Sequence, residues 1–226
     1  MIIRILKTLF MLVLGVMSLP LVVPVSRAFY GQLKNISVLS SGNQIYFVWG
    51  IIAYVILHLF FFKPSYVYNL GHEIVHVLTT WLSLGKAKNM KVSEQGGSVQ
   101  TTKSNAFVSI SPYFVPFYTL LVCGAYFAVS RFRDISGYAP YFIFFIGFTF
   151  AMHIIMTVEA LKGGQPDLIK TGYLFSLAWI YVINVVIAGF IIGLIFSGFS
   201  FADMCVQFSD EAKALYISLS QQLFIV

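Results

Sequence analysis

The chain has 226 residues, of which 59% are hydrophobic and only 10% charged, with a formal net charge of +6. A soluble domain carries about 25% charged residues, and a chain this short must still cover its outside with polar groups. A water-soluble globule is therefore excluded and an integral membrane protein is expected. The basic excess falls in short loops between apolar runs, where lipid headgroups and topology account for it, so nucleic acid is not an expected partner.

A transmembrane helix takes roughly 20 apolar residues. The first such run extends from about Ile5 to Val25, behind Arg4 and Lys7. It resembles a signal peptide ending at "SRA", but it is long for that role, and a retained helix is the preferred reading. A second run covers about Gln44 to Phe62 and contains His58; a third, from Tyr66 to Leu84, contains "YNLGHEIVHVLTT". Lys86 to Ser104 is the longest polar stretch. Its Gly96-Gly97 pair, between "MKVS" and "SVQTT", reads as a two-residue turn, which predicts a β-hairpin over Lys91–Thr102 at the membrane surface. A fourth run, about Ala106 to Ser130, is interrupted by Pro112 and Pro116, which weaken it as a helix and make it a candidate gate. A fifth covers Tyr138 to Leu161 and a sixth about Thr171 to Phe196. The tail, about 199–226, mixes polar and apolar residues as an amphipathic helix on a bilayer would. No internal repeat or second domain is visible, and Cys123 and Cys205 imply no disulfide framework. The expected fold is an all-α integral membrane protein: one polytopic unit, 1–226, with a bundle of about six transmembrane helices and a small surface hairpin.

The third run carries the chemistry. On a helix, His72 and His76 lie one turn apart on the same face, where one tetrahedral zinc ion can take both. Glu73 is offset from them and stands beside the metal, placed to accept a proton from a water that the metal has acidified. Ionisable groups inside a membrane span cost about 2.5–3.5 kcal/mol each, so three within five residues argue for a ligand. A third protein ligand is required. His58, His153, Glu159 and Asp167 are the candidates at membrane depth.

"LGHEIVH" and the later "QPDLIKTGY" together resemble the site-2 protease family of intramembrane zinc metalloproteases. The resemblance covers about 70–176 and is closest to the compact bacterial members, which implies a multi-pass protein of a bacterial inner or plasma membrane. It implies Zn2+ held by His72, His76 and Asp167, with Glu73 catalytic and a membrane-protein substrate. The family's Asn-Pro and Asp-Gly pattern is incomplete here: Gln165 replaces the asparagine, and no glycine follows Asp167. His153 reads as a ligand, as a donor to Asp167 or water, or as a packing histidine. Asn184, polar in an apolar run, seeks an interhelical hydrogen bond, and the resemblance allows it to face the active-site cavity. Glu159 reads as an interfacial residue paired with Lys162, and His58 as a packing or interface group. The other functional readings are a membrane metal-ion transporter and a catalytically inactive scaffold; few further acidic or histidine groups favour the first, and an intact Glu73 opposes the second. The hairpin reads either as a strand edge that pairs with unwound substrate or as a solvated connector.

Overall fold

The computed structural model describes residues 2–36 and 42–224. In chain order the elements are α1 (Ile2–Ser18), α2 (Val22–Leu33), α3 (Ile45–Phe60), α4 (Ser65–Leu82), β1 (Ala87–Ser93), β2 (Gly96–Thr101), α5 (Ala106–Ile110), α6 (Phe117–Ser130), α7 (Ala139–Lys162), α8 (Pro166–Thr171), α9 (Tyr173–Ile195) and α10 (Phe201–Phe224). Among the described residues, four helical stretches are long and apolar enough to cross a membrane: Thr8–Leu33, Gly42–Phe60, Ser136–Lys162 and Tyr173–Ile195. The proline-interrupted run is a broken pair, Ala106–Tyr113 and Phe117–Ser130, bent by 77°. Counting that pair as one span gives five, against the expected six or so. The shortfall is α4, long enough at 18 residues but carrying too many polar groups to pass.

The chain forms two compact units, Met1–Ser37 with Ile169–Val226, and Val38–Leu168. In the first, α1, α2, α9 and α10 pack together. Trp179 Nε1 donates to Ser18 Oγ at 3.1 Å, and the Ser26 and Tyr181 hydroxyls meet at 2.8 Å. The tail is a continuous helix docked on its neighbours: Tyr216 donates to the Met17 carbonyl, and Gln32 Oε1 accepts from Ser200 N at the start of α10.

The second unit holds the motif. Its α3 and α7 approach backbone to backbone, because Gly50 lies against the Phe144 carbonyl and Gly147 against the Phe47 carbonyl. Any Cβ at either position would overlap those carbonyls, so small residues set this helix spacing. Beside them Tyr54, Tyr68, Ala151, Met152 and Met156 form a buried cluster. That cluster ties α4 to α7, where the Tyr68 and Thr157 hydroxyls lie 3.2 Å apart. Tyr118 of α6 donates to the Val67 carbonyl at 2.6 Å and covers Gly71 with its ring.

The hairpin forms as expected but its turn does not fall on Gly96-Gly97. Ser93 pairs with Gly96, Val92 with Gly97 and Lys91 with Ser98. Glu94 and Gln95 are therefore the loop, and the two glycines are the first residues of β2. Gly96 has φ of +152°, a conformation that favours glycine. Gly97 is small for a different reason, which concerns the motif helix.

Candidate metal centre

Helix α4 starts after Pro64, whose ring cannot continue an earlier helix, and ends where Leu84 turns left-handed (φ +58°) before Gly85. Its inward face comprises Tyr68, Gly71, Glu73, Val75, His76, Thr79 and Thr80. The four-residue spacing brings the His72 and His76 rings to 4.9 Å, edge to face. The ring of Tyr113 packs on His72 at the same distance, also edge to face.

Short helix α5 locks the second histidine. Asn105 caps it, its side chain accepting from Val108 N at 2.8 Å. The Val108 carbonyl in turn lies 2.9 Å from His76 Nδ1. A carbonyl can only accept, so Nδ1 donates to it and Nε2 is the ring nitrogen left to face away from α5. One turn further along α4, Ser111 Oγ donates to Thr79 Oγ1 at 3.2 Å, holding the following 3₁₀ turn against the same helix.

Asp167 arrives from the far end of the unit. Helix α7 stops at Lys162, Gly164 adopts φ of +68°, and Pro166 opens α8 at the position where a missing N–H costs nothing. This reversal puts Asp167 Oδ2 3.3 Å from His76 Nε2. One ligand atom from each of His72, His76 and Asp167 lies within 4.8 Å of the others. A tetrahedral site with bonds of about 2.0–2.1 Å has ligand atoms roughly 3.3 Å apart, so the His76–Asp167 pair is already at that spacing. His72 Nδ1 is buried with no hydrogen-bond partner among the described residues. A buried polar atom without a partner costs about 1–3 kcal/mol. His72, His76 and the Asp167 carboxylate are together a donor set that could hold a metal ion.

Glu73 is 4% exposed. Its cover is Gly97 of the hairpin: a Cβ there would lie 2.5 Å from Glu73 Cγ and 2.7 Å from Oε1. The hairpin is fastened close by, since Asn69 Nδ2 donates to the carbonyls of Ser93 and Glu94 at 2.9 and 3.2 Å. Asn69 precedes Glu73 by one helical turn, so the face that carries the carboxylate also anchors the strand above it.

The remaining candidates separate. His153 is buried on α7 and lines a cleft with His72, Tyr68, Met152 and Tyr118. Space there for a solvent molecule's centre is about 20 Å³, room for about one water. His58 and Glu159 do not join the cluster. The expected Glu159–Lys162 pair is replaced by Lys63 and His58, both bonded to Glu159 Oε1, with Tyr54 Oη 3.2 Å from His58 Nδ1. Packing of α3 on α7 brings these partners in from far away in sequence, so His58 links the two helices through Glu159. Asn184 belongs to the other unit, where its Nδ2 donates to the Ile180 carbonyl of its own helix at 2.8 Å.

Sequence reasoning did not single out Asn69, Val108 or the seating role of Gly97. Only Asn69 carried a local signal, as a polar residue four positions before Glu73. No family model, no curated protein and no solved structure matches this chain.

Proposed function

We propose that this protein is an intramembrane zinc metalloendopeptidase that cleaves a peptide bond in or near a transmembrane segment of a membrane-protein substrate. The observation that carries the proposal is one helix presenting two histidines that, with Asp167 from another element, could hold a metal ion, and beside them a buried carboxylate outside that group. The motif's resemblance to the site-2 protease family supports the same reading. Membrane residence is supported by the four long apolar helices and by outward-facing side chains such as Leu120, Leu121 and Phe127 of α6.

His72, His76 and Asp167 would hold the ion. When bound there, zinc would polarise the scissile carbonyl and acidify a water. Glu73 then takes the proton of the attacking water and returns it to the leaving amine. Its enclosure under the hairpin lowers the local dielectric and keeps bulk water from competing for that proton. A substrate helix must unwind before attack, and each backbone group left unpaired in a dry site costs several kcal/mol. Gly97 of the hairpin packs on Glu73, which supports a strand edge near the metal centre taking up those groups by β-augmentation.

Metal analysis and cleavage of a quenched-fluorescence peptide containing one apolar span test the assignment in detergent-solubilised protein. One zinc per chain is expected, lost when His72 and His76 are changed to Ala. Glu73→Gln is expected to keep zinc and to lose cleavage by about 10²–10⁴-fold. Normal cleavage by Glu73→Gln would sink the mechanism.

A further inference from the structure

Val108 stands four residues before Pro112. In a continuing α-helix the carbonyl of 108 would accept the N–H of residue 112, but proline has none. The neighbouring donor is committed elsewhere, since Ser111 N–H bonds to the Phe107 carbonyl. The Val108 carbonyl is thus left to side chains: His76 Nδ1 at 2.9 Å and, more weakly, Ser111 Oγ at 3.3 Å.

We propose that Pro112 is a positioning residue of the metal centre. By withholding an N–H, it reserves the Val108 carbonyl for His76 Nδ1, and that bond orients the ring with Nε2 toward Asp167. The inference rests on the metal-binding reading of His72, His76 and Asp167. A proline whose only role was to break the helix could act at several neighbouring positions. The carbonyl that meets His76 is that of Val108, and residue 112 is where a continuing α-helix would supply its donor.

Pro112→Ala restores the N–H. The restored donor competes with His76 for the Val108 carbonyl, and partners of this kind are worth about 10–100-fold in metal affinity. The ring of Pro112 also lines the cleft beside His72, so lost packing must be separated from the restored donor. Lactate at position 112, introduced as the α-hydroxy analogue of alanine, has alanine's methyl group but an ester oxygen in place of the N–H. Zinc affinity is measured on the full chain in detergent, by competition with a chromophoric chelator, with a thermal melt for each variant. The expected result is a loss of about 10–100-fold for Pro112→Ala and an affinity near wild type for the lactate variant. Equal losses in both, or a loss in neither, overturn the proposal, because the N–H is then not the cause.

Nitrogen NMR of the metal-free protein gives a second reading that does not depend on zinc. His76 is expected to show an Nδ1 proton bonded to the Val108 carbonyl in the wild type and a partial loss of that bond in Pro112→Ala. An unchanged Nδ1–H signal in Pro112→Ala also overturns the proposal. A wild-type chain that binds no zinc refutes the metal reading instead, which the Nδ1–H measurement distinguishes from a failure of the Pro112 argument.

Discussion

A single methyl group at Gly97 would measure how closely the hairpin seats Glu73. In Gly97→Ala the new Cβ would stand 2.5 Å from Glu73 Cγ, 2.7 Å from Oε1 and 2.9 Å from Cδ. Carbon atoms pack comfortably at about 3.5–4.0 Å, so the carboxylate or the hairpin must retreat by about 1 Å. Three atoms of Glu73 are crowded together, and a twist of the terminal carboxylate alone relieves only the contact to Oε1. A misplacement of that size in a catalytic group costs on the order of 10²-fold. Turnover of the apolar-span peptide is therefore expected to fall by about that factor, while zinc content stays at the wild-type level because neither histidine is touched. Overpacking should also cost about 1–3 kcal/mol in a thermal melt. Gly96→Ala is the matched control. Its φ of +152° makes alanine strained, yet nothing lies within 4 Å of the added Cβ, so it should lose stability and keep turnover per folded molecule. If Gly97→Ala turns over as the wild type does, the hairpin does not position the base; if the two glycine variants lose turnover equally, only strand integrity matters.

Asp167→Ala should lower zinc affinity with the fold preserved; if His153→Ala strips the metal while Asp167→Ala does not, the third ligand has been misassigned. Asn69→Ala removes two hydrogen bonds to the Ser93 and Glu94 carbonyls, each worth about 0.5–1.5 kcal/mol. Amide exchange across 93–97 should then accelerate, and exchange at the wild-type rate would show that Asn69 does not fasten the hairpin. Proline placed in turn from Lys91 to Gln95 and from Ser98 to Thr102 removes one strand donor at a time. A substrate-pairing edge predicts lower turnover at constant zinc for some of these positions, whereas unchanged cleavage at all of them leaves the hairpin a connector.

What could be read from the sequence depended on how local each determinant was. The spacing of His72 and His76 decides a helix face by itself, and the structure sets both rings edge to face on α4. Asp167 entered through the resemblance of "QPDLIKTGY", and the Gly164 reversal ahead of Pro166 brings it to His76. The hairpin was legible from alternation and glycine. Its turn was misplaced by two residues because Gly96-Gly97 imitates a loop signature, while Gly97 is needed small to admit the Glu73 side chain. Glu159 shows the limit of neighbourhood reasoning: Lys162 is three residues away on the same helix, but Lys63 and His58 arrive through tertiary packing and take the carboxylate. The reading of α4 as a span rested on the apolar residues around the motif. Its own Asn, His, Glu and Thr content makes it the least apolar of the long helices in its unit, and its polar face is buried against α5, the hairpin and α7.

The two prolines of the broken helix show why the missing parts were hard to see. Read along the chain, Pro112 and Pro116 are interruptions, and the 77° bend between Ala106–Tyr113 and Phe117–Ser130 is the expected consequence. A bent helix also has carbonyls with no helical donor, and a buried carbonyl must find another. At Val108 that other donor is His76, at 2.9 Å. The break that shortens α5 and the acceptor that meets His76 thus share one cause. Backbone atoms have no letter in the sequence. Here the letter to read was proline, four positions beyond the carbonyl that it leaves free.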